Sequence, residues 1–178
     1  LFVVELPKVL RQSAKSADGR AEGTKSVQRT ESKTIPGTCG GSLRYALTVN
    51  DSTGDFAGTF VFSQYCDSGI TITGSVDVDG SLEPTTGVFD MINFNFDNLT
   101  SDDFVMSGAI SVDEEGPSSF IAMGFLAEDT VSDKVYWVRD YAMVVTEIDT
   151  ADVHVSLTGV FYHPDYGYVN VSTPDPFI

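Results

Sequence analysis

The sequence predicts an all-β protein: an antiparallel meander of about nine strands, forming a barrel or a strongly coiled sheet. A short amphipathic helix and a flexible tether precede it. Three features of the 178 residues carry this expectation. From residue 42 onward apolar and polar residues alternate with a period of two, the signature of half-buried strands. Turn-forming clusters punctuate that alternation, among them Asn50-Asp51-Ser52-Thr53-Gly54 and Asp79-Gly80. Glycines recur inside the strands at matched places: Gly58, Gly108 and Gly159, with Gly74 and Gly124 in the strands that follow the first two. Glycine weakens a strand interior, so a recurrent one marks a bulge, a bend or a close approach, as in a sheet that coils over itself.

The N-terminal stretch reads differently. Between Glu5 and Ala17 the residues Leu6, Val9, Leu10, Ala14 and Ala17 fall on one helical stripe, with Pro7 in the first turn and Gly19 just past the end. Lys8, Arg11 and Lys15 give this segment its charge. Residues 18–34 hold only Ala21 and Val27 as aliphatic side chains and read as a flexible connector. Ile35-Pro36-Gly37 then opens the folded body. The organisation expected is therefore a helix and basic tether over residues 1–35 and an acidic β domain over residues 36–178.

Within that domain Leu43–Val49, Phe56–Phe62 and Ile70–Val78 alternate and form a first strand triplet. Val88–Phe96, Phe104–Val112 and Ser119–Leu126 form a second, and Val135–Val145, Val153–Phe161 and Gly167–Ser172 a third. The triplets begin near residues 42, 88 and 135, which suggests an internal repeat.

Charge divides the chain. Residues 1–44 hold eight Lys or Arg against four acids, net +4, whereas the remainder holds Lys134 and Arg139 against 22 acids, net −20. A body this acidic repels phosphate, which argues against nucleic acid as a partner. Self-association or a basic protein partner fits better. No segment has the length of apolar chain that a membrane-spanning helix needs.

Cys39 and Cys66 both sit in turn-rich places flanking strands, outside any metal-ligating pattern. A bridge between them places the protein in an oxidising compartment; two free thiols in a cytosolic protein is the alternative. Their local sequence resembles poorly characterised exported β-rich proteins of bacteria, through Cys39-Gly40-Gly41-Ser42, the Phe56–Cys66 strand with its closing Tyr65-Cys66, and Gly74-Ser75-Val76. The hairpin Phe161–Val169 is similar to theirs as well. The resemblance covers residues 36–80 and 157–173, implies export and a disulfide, and carries no activity with it.

Material for catalysis is thin. His154 falls in a strand and His163 in the turn His163-Pro164-Asp165-Tyr166-Gly167, with no nucleophile elbow, no Cys-His pair and no phosphate-binding loop in the sequence. Acids cluster as Asp77/Asp79, Asp102/Asp103, Asp113/Glu114/Glu115 and Glu128/Asp129/Asp133, all expected at turns or strand ends. There they keep a β protein soluble and blunt its edges; no compact loop collects them for calcium. No cofactor, metal site or catalytic residue is expected. Tyr136, Trp137, Tyr162, Tyr166 and Tyr168 are candidate exposed aromatics. Asn50, Asn98 and Asn170 open glycosylation sequons that matter only if the source glycosylates exported proteins.

The function expected is a non-enzymatic extracellular, cell-surface or periplasmic structural subunit. It associates through the arm bearing Leu6, Lys8, Val9, Leu10, Arg11 and Lys15, in a head-to-tail manner that propagates into rings or filaments. A carrier for an apolar small ligand in a coiled-sheet cavity and a carbohydrate-binding module are the alternatives.

Overall fold

A computed structural model describes residues 28–86, 88–116, 118–147 and 153–173. They form ten strands: β1 (Gln28–Pro36), β2 (Gly40–Asn50), β3 (Asp55–Asp67), β4 (Ile70–Leu82), β5 (Phe89–Ser101), β6 (Phe104–Glu115), β7 (Ser118–Asp129), β8 (Lys134–Glu147), β9 (Val153–His163) and β10 (Gly167–Ser172). All ten lie in one antiparallel sheet whose spatial order is the chain order. No helix occurs among the described residues. The helix expected over Glu5–Ala17, and with it Leu6, Lys8, Val9, Leu10, Arg11 and Lys15, lies outside them.

The all-β antiparallel meander of the sequence reading is therefore present, with two corrections. There are ten strands rather than nine, because residues 28–34, read as tether, belong to β1. This strand is polar, and what holds it is its ladder with β2 from Gln28↔Asn50 to Pro36↔Ser42. The Thr30–Thr48 hydroxyl pair (3.0 Å) and the Arg29–Asp51 ion pair (2.8 Å) reinforce it. The second correction is that the sheet does not close, so of the two expected forms the barrel is absent. β1 and β10 are its two outer strands, and no described strand pairs with either on the outer side.

The strand glycines act largely through close approach. A Cβ on Gly58 would stand 2.2 Å from the Ala46 carbonyl oxygen, and one on Gly108 would stand 2.3 Å from that of Gly124. Bending comes from bulges, and Gly74 and Gly124 stand at two of them, the register shifts Thr73/Ser75 and Met123/Phe125. Register shifts occur at Phe62/Tyr65, Phe96/Leu99 and Arg139/Ala142, and each contains a residue with left-handed backbone: Gln64, Asn98 and Asp140, at φ 50, 52 and 51°.

Cross-strand neighbours share a face, so one row defines each side of the sheet. The row Tyr45↔Phe60↔Val76↔Phe96↔Gly108↔Phe125↔Val138↔Phe161↔Val169 crosses nine strands and contains no polar side chain apart from the Tyr45 hydroxyl. Burial along it is uneven. Tyr45, Phe60 and Val76 are 2–3% exposed, the members from Phe96 to Phe161 are half-buried, and Val169 is 44% exposed. The core lies on β2–β5, where Leu47, Phe56, Phe62, Val78, Ile92 and Phe94 join the same cluster. Each such side chain contributes about 1.5–3 kcal/mol through burial. Tyr45 stacks obliquely on Phe60 (5.7 Å) and Phe56 meets Phe89 edge-on (5.8 Å).

Candidate functional site

Cys39 and Cys66 are joined in a disulfide, with Cα atoms 5.1 Å apart. The Cys39 amide also donates to the Cys66 carbonyl (3.2 Å), so the bridge ties the β1–β2 turn to the end of β3. Thr38 donates to Asp67 beside it (2.7 Å). A disulfide is compatible with an extracellular or periplasmic protein. Among the described residues no helix is long and apolar enough to cross a membrane.

The five aromatic candidates divide between the two faces. Trp137, Tyr162 and Tyr168 are direct neighbours across β8, β9 and β10 on the polar face, with ring centroids 5.7 and 5.0 Å apart. Trp137 is 41% and Tyr168 62% exposed, while Tyr162 between them is half-buried. Leu126 of β7 extends the row. Tyr136 lies on the other face against His163 (5.3 Å), which also meets Tyr166 (4.6 Å). Tyr166 itself, at the hairpin tip, is 81% exposed.

His163 is held as a turn residue. Its Nδ1 accepts the Asp165 amide (3.1 Å), and Asp165 pairs with Lys134 across the adjacent turn. That partnership, first through the hydrogen bond, holds the Asp165 carboxyl below and the Lys134 amine above their ordinary values.

The acids are dispersed. Asp77 and Asp79 stand mid-strand on β4 rather than at a turn, because Asp79-Gly80 continues the strand to Leu82. Asp77 accepts from Thr59 (2.7 Å) and Asp79 from Asn93 (2.9 Å). Asp129 closes the β7–β8 turn by accepting from the Ser132 hydroxyl and from the amides of Val131 and Ser132, which lowers its pKa. Glu83 closes the β4–β5 turn through Thr85 and Thr86 in the same way. Among the described residues no three His, Cys, Asp or Glu side chains are grouped so as to hold a metal ion.

One concavity escaped the sequence reading. On the polar face a trough of about 520 Å³ has a floor of Ala109, Ser111, Ala122 and Gly124 on β6 and β7. Asp79, Asn93 and Asn95 wall it on one side, Asp140 on the other. Five strands contribute to it, so only the full cross-strand register reveals it. Small side chains with hydrogen-bonding walls suit a polar surface laid against the sheet.

Comparison of the chain with protein-family models, with curated proteins and with solved structures found no match.

Proposed function

We propose that the chain is an exported, non-enzymatic structural subunit that self-associates through its N-terminal arm. The observation that carries this reading is the uneven cover of the apolar face: deep burial on β2–β5 gives way to half-exposure from β6 to β10. A sheet with one apolar face needs a second layer against it. The chain's own amphipathic segment, Leu6, Val9, Leu10, Ala14 and Ala17, is of the right kind to supply one.

Length admits both a neighbour's sheet and the arm's own. As a helix, residues 5–17 would measure roughly 20 Å, the width of about four strands. Between that segment and β1 stand residues 18–27, which reach at most ~35 Å. Ten strands span about 43 Å, less than tether and helix reach together, so the arm can cover its own sheet or that of a neighbour. The arm's Lys8, Arg11 and Lys15 meet a body of net −20, which speeds encounter and sets orientation.

The test is sedimentation of the full chain at low salt over a range of concentration. Assembly is expected, weakened by Leu6→Asp with Leu10→Asp and by raised salt. A monomer at every concentration sinks the reading. So does assembly indifferent to the two arm substitutions.

The exposed Trp137–Tyr162–Tyr168 row favours a second reading, a saccharide-binding face, since sugar rings stack on such platforms. Titration with soluble polysaccharides, followed by Trp137 emission, tests it; no response from any of them would remove it. An apolar-ligand carrier draws less support from an open sheet than it would from closed walls.

A further inference from the structure

We infer that the two outer strands are mates: β10 of one copy pairs with β1 of the next, so that copies join edge to edge into one continuing sheet. This rests on the self-association reading and names the contact that directs it.

The first ground is the phase of the backbone hydrogen bonds. The Thr173 amide donates to the Leu157 carbonyl (2.9 Å), in register with Val171↔Gly159 and Val169↔Phe161. Alternate residues of an antiparallel strand bond to opposite sides. Odd-numbered residues of β10 are therefore committed to β9, and Tyr168, Asn170 and Ser172 turn their N–H and C=O outward. On β1 the Gly37 amide donates to the Gly41 carbonyl (3.1 Å), in register with Ile35↔Leu43. Thr30, Ser32 and Thr34 thus turn outward at the opposite edge. Pro36 has the same outward phase, where its missing donor costs the ladder nothing.

The second ground is parity. Ten alternating strands leave β1 and β10 antiparallel, so a neighbour's β1 placed beside β10 preserves the alternation. The outward-bonding residues of both edges carry side chains on the polar face. Pairing them sets the apolar face of one copy flush with that of the next.

The third ground is the unequal defence of the edges. β10 reads Gly-Tyr-Val-Asn-Val-Ser, without a charge or a proline, and Tyr168 and Val169 are 62% and 44% exposed. Solitary proteins guard such edges with Lys, Pro or inward charge. β1 does carry charges, Arg29, Glu31 and Lys33, and lies at the basic end of a molecule whose remainder is strongly acidic. Head-to-tail stacking sets the positive end of one copy against the negative body of another; symmetric pairing of β10 with β10 lacks that attraction. The geometry also delivers the arm: a neighbour's β1 beside β10 starts its residues 1–27 next to the half-covered strands β6–β10.

Proline at an outward position blocks an edge without touching the inner ladder, so Asn170→Pro closes β10 and Ser32→Pro closes β1 in the full chain. The wild-type protein is expected to grow beyond a dimer with concentration in analytical ultracentrifugation, each variant to remain monomeric, and their equimolar mixture to stop at a 1:1 dimer. Should circular dichroism show either proline variant unfolded, Tyr168→Lys with Asn170→Lys replaces it at the β10 edge and is expected to arrest growth equally. If the folded variants assemble like wild type while Leu6→Asp with Leu10→Asp weakens assembly, the edge contact is wrong and the arm reading stands. If Ser32→Pro dimerises alone and Asn170→Pro does not, pairing is symmetric and the head-to-tail inference is overturned. A wild-type monomer throughout ends both.

Discussion

Phe56 and Gly80 face each other across the β3–β4 ladder, and the Phe56 ring lies where a side chain on residue 80 would stand. A Cβ there would come 2.8 Å from Phe56 Cζ and 2.1 Å from the Met91 carbonyl oxygen. The ring can turn aside, but the carbonyl belongs to the β4–β5 ladder and cannot. Gly80→Ala is therefore expected to destabilise the protein by about 1–3 kcal/mol, the range for forced overpacking. The urea midpoint checks this; an unchanged midpoint would show that β5 yields.

Cutting the disulfide acts mainly on the unfolded chain. With its cysteines 27 positions apart in the chain, the bridge removes about 3–4 kcal/mol of unfolded-state entropy. Cys39→Ser with Cys66→Ser is expected to lower stability by that order, and reductant to do the same to wild type. Alkylation of the native protein should find no reactive thiol.

Tyr45 supplies an alkaline limit. Burial first, and then the neighbouring Glu31 carboxylate that accepts its hydroxyl (3.2 Å), push its pKa up to about 12 from 10.0. The unfolded phenol ionises first, so the stability tied to the neutral hydroxyl is complete below pH 10 and is lost as pH rises through 12. Urea midpoints between pH 9 and 12 are expected to fall more steeply for wild type than for Tyr45→Phe. Parallel curves would place the alkaline loss elsewhere.

Trp137 and Tyr162, 5.7 Å apart between ring centroids, are a cross-strand pair as well as an exposed surface. A double-mutant cycle to alanine is expected to give a coupling of about 0.5–1 kcal/mol. Since Trp137 is the one tryptophan and 41% exposed, its emission should be readily quenched by acrylamide in the unassembled protein.

Alternation made nine strands legible, because an amphipathic strand writes its period into side chains. β1 was illegible for the converse reason: Gln28–Pro36 holds Ile35 as its only large aliphatic residue, and backbone pairing with β2 makes it a strand. Asp79-Gly80 misled, since the same dipeptide that favours a turn also gives an empty position beneath an aromatic ring. The aromatic row was legible as residues and not as a surface. Bulges at Phe62/Tyr65, Phe96/Leu99 and Arg139/Ala142 reset the face of every later residue on their strands, and no local pattern announces them.

Every described strand touches in its ladder only the strands before and after it in the chain. Order can therefore spread hairpin by hairpin, without long loops being closed before any contact rewards it. Cooperativity in such a row is nearest-neighbour, as in a solenoid. Its tightly packed section is β2–β5, while β10 is held by six ladder pairs to β9 alone. The molecule should accordingly open from its far end inward, with amide exchange slowest around Phe60 and Val78 and fastest near Val171.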